Sequence, residues 1–205
     1  MMEAKDTMLA GMLAFIGFIS IQSVALATPI NNAGSGLVSP QNTITFNEVV
    51  LPVGTAVTNQ FAAFGATFDD WTYNNGNGSS IPSPILAHFS GALDADIFFN
   101  DPVTDAAFRL QTNSGTTLFE ALLSGSLVES FSAATTFPDS TDWFGFQNIV
   151  FDQIRITPGG SGSAAVLGQL QFNNAAVPLP STIFLLAVGL ACAARISRKT
   201  AGNCQ

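Results

Sequence analysis

Cysteine and lysine are missing from the whole stretch between residues 28 and 176, and histidine occurs there once, at His88. Without cysteine this stretch has no disulfide framework, no thiol chemistry and no cysteine-rich zinc site, so the compartment has to be read from the chain ends. Cys192 and Cys204, the two cysteines of the chain, both lie in its last segment. A single histidine excludes multi-histidine metal centres. A serine hydrolase would have to use His88 as its base, and no Gly-x-Ser-x-Gly elbow accompanies it. His88 therefore reads as a packing residue. Positive charge is equally scarce: only Arg109 and Arg155 stand against twelve carboxylates from Glu48 to Asp152, a net of −10. Such a surface repels phosphate backbones and excludes nucleic acid as a partner. It favours solubility and leaves cations, neutral glycans and basic surfaces as partners.

Long apolar runs are confined to the two ends. Residues 8–27 carry no charge and close on Ala25-Leu26-Ala27, before Thr28-Pro29. Small residues at Ala25 and Ala27 let a signal peptidase grip the extended chain, which predicts a signal helix over 1–27 that the export machinery removes between Ala27 and Thr28. Its first residues are mixed in charge, with Glu3 and Asp6 beside Lys5. At the other end, Val177 to Ala194 is uncharged for 18 residues, and Arg195, Arg198 and Lys199 follow. As a helix this run spans about 27 Å, against a hydrocarbon core of about 30 Å. The basic stop favours a cytoplasmic tail over 200–205 and places the preceding stretch on the periplasmic side of an inner membrane. Pro178 and Pro180 lack amide hydrogens, so they belong to an extended lead-in or a first helical turn.

The order Val177-Pro178-Leu179-Pro180-Ser181, then an apolar run, then Arg195, Arg198 and Lys199 resembles the PEP-CTERM sorting signal of Gram-negative, biofilm-forming bacteria. Leu179 stands where that family usually carries Glu, giving a proline-leucine-proline variant. The resemblance implies a transmembrane helix within 177–199 and recognition by an exosortase. That membrane cysteine protease cuts near the motif and passes the protein towards the cell surface or exopolysaccharide.

Between the ends, residues 28–41 are rich in Asn, Gly, Ser and Pro and read as a linker. Residues 42–174 show short β-prone runs between turn signals and no helical apolar stripe. Strands are predicted near 42–47, 64–70, 84–89, 94–100, 104–112, 116–123, 126–132, 143–146, 149–157 and 164–172. Phe108 and Leu110 alternate with Arg109 and Gln111, the pattern of a half-buried strand. From Ile149 and Phe151 to Ile154 and Ile156 the apolar parity switches, which requires a bulge near Asp152-Gln153. About ten such strands in about 150 residues, enough to bury a core without staples, predict an all-β, jelly-roll-like antiparallel β-sandwich. The opening Ile44-Thr45-Phe46, residues 51–61 and Gly65-Ala66-Thr67-Phe68 are similar to the start of many PEP-CTERM ectodomains, whose bodies look like carbohydrate-binding-module jelly rolls. The closing Val166-Leu167-Gly168-Gln169-Leu170-Gln171-Phe172 has Gly168 where that family has an aspartate.

Candidate chemistry is sparse. Trp71, Tyr73 and Trp143 have flat faces and polar edges suited to stacking on sugar rings. Ca²⁺ takes six to eight oxygen ligands, for which Glu48, Asp69, Asp70, Asn74 and Asn77 are candidates. Paired acids among Asp69, Asp70, Asp94, Asp96, Glu120 and Glu129 would suit a glycosidase if two of them faced each other across a cleft. The combined expectation is an exported, exosortase-sorted surface or matrix protein without catalytic activity. The alternatives are a carbohydrate-binding module, with or without Ca²⁺, and a glycoside hydrolase.

Overall fold

The computed structural model describes residues 27–76, 80–89, 94–136, 142–160 and 164–176. The predicted signal helix with Ala25 lies outside them. So does the predicted tail with its transmembrane helix, from Val177, Pro178, Leu179, Pro180 and Ser181 to Arg195, Arg198 and Lys199. Among the described residues no helix is long and apolar enough to cross a membrane.

In chain order the strands are β1 (Thr28–Ala33), β2 (Asn42–Ile44), β3 (Ala56–Val57), β4 (Ala66–Asp69), β5 (Trp71–Asn74), β6 (Ile85–His88), β7 (Ala95–Thr112), β8 (Gly115–Leu123), β9 (Ser126–Thr135), β10 (Trp143–Gln147), β11 (Phe151–Thr157) and β12 (Ala165–Asn174). A 3-10 turn, Ala62–Phe64, precedes β4. Every pairing is antiparallel.

The 18-residue β7 belongs to two layers. Its first half pairs with β4 on one side and β11 on the other, and its second half pairs with β12 and β10. The corner between them is Asn100-Asp101-Pro102, all exposed, where proline can sit without breaking a buried ladder. One layer thus runs β4-β7-β11-β8-β9. The other runs β1-β10-β7-β12, continued by β2 and β6 on β12 and then by β5 and β3.

The interior between the layers is aromatic. Phe119 of β8 lies 5.0 Å from Phe144 of β10 and 5.7 Å from Phe108 of β7, ring centre to ring centre. Phe151 of β11 meets Phe146 of β10 at 5.8 Å, and Phe99 of β7 meets Phe172 of β12 at 5.1 Å. Each fully buried phenylalanine contributes roughly 1.5–3 kcal/mol by leaving water, and favourable ring geometry adds to it.

Three expectations change. Residues 28–41 are not a free linker: β1 pairs with β10, and Ile30 and Leu37 pack with Trp143 and Ala107 as a second, smaller core on the outer side of the β10-β7-β12 layer. The Leu37 amide donates to Gln171 Oε1 at 2.8 Å, which fixes this strap. Nor is the outer side of β7 open at Gln111, which is buried, whereas Arg109 is half-buried with its Nε enclosed. From the other side, Ser80 N donates to Gln111 Oε1, and Ile81 packs so closely on Gly168 that a Cβ there would fall 2.0 Å from Ile81 Cγ2. That contact explains why a glycine occupies this point of β12. Third, the predicted strands at 94–100 and 104–112 are one continuous strand. The bulge anticipated near Asp152-Gln153 is present, as a register shift between Phe151 and Gln153 in the β11-β7 ladder.

Candidate functional site

None of the three stacking candidates is free. Trp71 is 1% exposed, Tyr73 7% and Trp143 8%. A ring without an open face cannot take a sugar, so these residues are corrected to core positions. Trp71 donates its indole N–H to the Asp96 carbonyl at 3.1 Å, and Trp143 lies under the strap. His88 is fully buried in β6, where its Nδ1 lies 2.9 Å from the Asp70 carbonyl. That carbonyl can only accept, so Nδ1 carries the hydrogen.

The acidic candidates also separate. Asp69 and Asp70 form the exposed turn between β4 and β5, with Asp70 at φ 61° and its amide donating to Asp69 Oδ1. Asn74 ends β5, and Asn77 lies outside the described residues. Glu48 is elsewhere, in the turn after β2. Its Oε1 accepts from the amide and hydroxyl of Thr45 at 2.8 and 2.9 Å, while Oε2 is buried with no hydrogen-bond partner. Among the described residues no three His, Cys, Asp or Glu side chains converge as a metal cage. Asp94 and Asp96 share the guanidinium of Arg155, at 3.6 and 3.2 Å, on an outer face of the sandwich.

A concavity among the described residues gathers positions that no sequence pattern joins. It measures about 480 Å³ and opens where β2, the 3-10 turn, the β7 corner and the end of β12 meet. That volume falls in the range of small-molecule sites. Its polar lining includes Gln41, Asn42, Thr43, Asn100, Asp101 and Asn174, and Phe64 supplies its ring. Phe64 is 38% exposed. The ring is placed by its own turn: the Phe64 amide donates to Phe61 O at 2.9 Å, and the Phe61 ring, 6.4 Å away, is rooted in the core. Asn100 holds the turn from the other side, donating Nδ2 to Ala62 O at 2.7 Å while its amide donates to Gly65 O. Gly65 is required here. Its φ is 97°, and a Cβ would fall 2.8 Å from the Phe172 ring.

These residues come from four segments with no common motif, so no local pattern could gather them.

The last strand among the described residues ends beside the pocket. β12 ends at Asn174, and the Ala175 amide donates to Pro102 O at 2.8 Å. From Ala176 onwards the chain fits a known pattern: residues 176–199 match the family model of the PEP-CTERM protein-sorting motif. The chain ends in a sorting signal. No curated protein matches this PEP-CTERM-bearing chain. Solved structures similar to it are carbohydrate-binding modules. One is CsCBM6-3 from Clostridium stercorarium in complex with cellobiose, at 12% identity and TM-score 0.34, covering 54% of this chain and 86% of that one. Another is CBM29-2, a family 29 module, at 15% identity and TM-score 0.34, covering 76% and 99%. A third is CBM32-3 from a family 31 glycoside hydrolase of Clostridium perfringens, at 12% identity and TM-score 0.32, covering 45% and 76%. The likeness is one of architecture alone.

Proposed function

We propose that this is an exported surface or matrix protein without catalytic activity, held at the inner membrane by its C-terminal segment until an exosortase releases the body towards the exopolysaccharide. The match of residues 176–199 to the sorting motif carries this reading. The topology supports it. Thr28 pairs with Gln147, and Asn173 pairs with Asp105. The Asp105 carboxylate ties the two regions together, accepting from Asn148 N at 2.9 Å and from Asn173 Nδ2 at 3.1 Å. Both ends of the body therefore leave from one pole, three strand spacings or roughly 14 Å apart. A body so built stands on one membrane while either terminal segment is embedded, with neither end drawn across the domain. Fractionation of a Gram-negative host without exosortase tests the tail's role. The full chain is expected in the inner-membrane fraction and a chain ending at Ala176 in the soluble periplasm; equal distribution of the two would overturn the assignment.

A second reading rests on Glu48. A buried carboxylate oxygen without a partner is costly, and a Ca²⁺ ion would satisfy it, with backbone carbonyls and water completing the shell. Micromolar to millimolar Ca²⁺ should raise the melting temperature of the wild type and leave Glu48→Gln unmoved. An equal response in both proteins would remove Glu48 from the role.

A further inference from the structure

We infer that the pocket between the 3-10 turn and the β7 corner binds one unit of a neutral, hydroxyl-rich glycan. The lining is acidic and amidic, with no cation: Gln41, Asn42, Asn100 and Asn174 bring amides and Asp101 a carboxylate. Several of these amides commit one end to the frame and leave the other unspent. Asn100 gives Nδ2 to Ala62 O, leaving Oδ1 without a protein partner; Gln41 Oε1 accepts from Asn174 N at 2.9 Å, leaving Nε2. A set of donors and acceptors alternating around one concavity suits a ligand whose every group both donates and accepts, which describes a sugar hydroxyl. The Asp101 carboxylate accepts only, and two neighbouring hydroxyls would satisfy it. Phe64 supplies the complementary surface, a half-exposed ring held in place by Phe61 and suited to the C–H face of a pyranose.

Charge narrows the class. The body carries twelve carboxylates and two arginines, and Arg109 and Arg155 lie outside the lining. An anionic sugar such as a uronate would meet Asp101 with nothing to neutralise it, so the ligand is neutral. The walls are set by backbone hydrogen bonds and by the Gly65 contact with Phe172, so little ordering is needed on binding.

The full chain, purified in a zwitterionic detergent whose headgroup carries no sugar, is screened against neutral and uronate-containing oligosaccharides, and hits are titrated calorimetrically. Neutral glycans should bind. Phe64→Ala and Asp101→Asn should each weaken binding roughly tenfold or more, while Val150→Ser, an exposed change outside the lining, should leave it unchanged. Asp101 is exposed at the corner, so its variant keeps the test valid if Phe64→Ala alters the fold. Failure of every neutral glycan to bind, binding only of uronates, or affinity indifferent to both substitutions overturns the inference.

Discussion

On the outer face of the β4-β7-β11-β8-β9 layer, Asp94 and Asp96 pair with Arg155 within reach of solvent, and the buried Gln153 donates to Asp96. On the outer face of the opposite layer, Trp143 lies beneath the strap that follows β1, and Gln111 beside the segment around Ser80 and Ile81. The two layers share one aromatic interior, yet the second is the one covered at Gln111 and Trp143. A polar residue facing outward is a surface residue only if nothing is laid over it. Once covered, Gln111 must find its acceptor role in Ser80, and Trp143 becomes a core ring.

This contrast can be broken most severely from the shared interior. Phe119 stacks on Phe144 at 5.0 Å and on Phe131 at 4.9 Å, so it joins both layers. Phe119→Ala should cost about 3–5 kcal/mol in chemical denaturation, the range for emptying an aromatic site in a core. Loss of under 1 kcal/mol would mean that the layers do not share this interior.

The covered face gives the next effect. Leu37→Ala removes the side chain that the strap lays beside Trp143, and should cost about 2 kcal/mol, the low end for a buried leucine because the cover is thin. Trp143 emission should also shift to the red as water reaches the indole. An unchanged spectrum with unchanged stability would show that the strap does not seal this face.

The open face gives the smallest effect. Arg155→Ala breaks contacts of 3.2 and 3.6 Å to groups that water already solvates in part, and should cost about 0.2–1 kcal/mol, less in high salt. A cost equal to that of Leu37→Ala would erase the difference between the two outer faces.

The same contrast explains how much could be read from the residues alone. β8 is legible as a short β-prone run between turn signals, because that signal lies in adjacent residues. The parity switch between Phe151 and Ile154 even located the bulge, because a bulge leaves its mark in adjacent residues. The strap left no such mark. Residues 28–41 have the composition of a linker, and their burial depends on β10, more than a hundred residues away in the chain. Trp71, Tyr73 and Trp143 were misplaced for the same reason: large aromatic side chains next to polar loops look alike whether the loop folds over them or away. The pocket is not legible in the sequence because Gln41, Phe64, Asn100 and Asn174 meet only through the pairing of β2, β4, β7 and β12. By contrast, the sorting signal is a linear pattern and was fully legible.

Intact-mass analysis of the protein recovered from the surface or medium of an exosortase-bearing host reads the fate of that signal. The expected species begins at Thr28 and has lost Arg195, Arg198 and Lys199 through a cut near the proline motif. A surface-exposed species that still carries Lys199 and runs to Gln205 would contradict it.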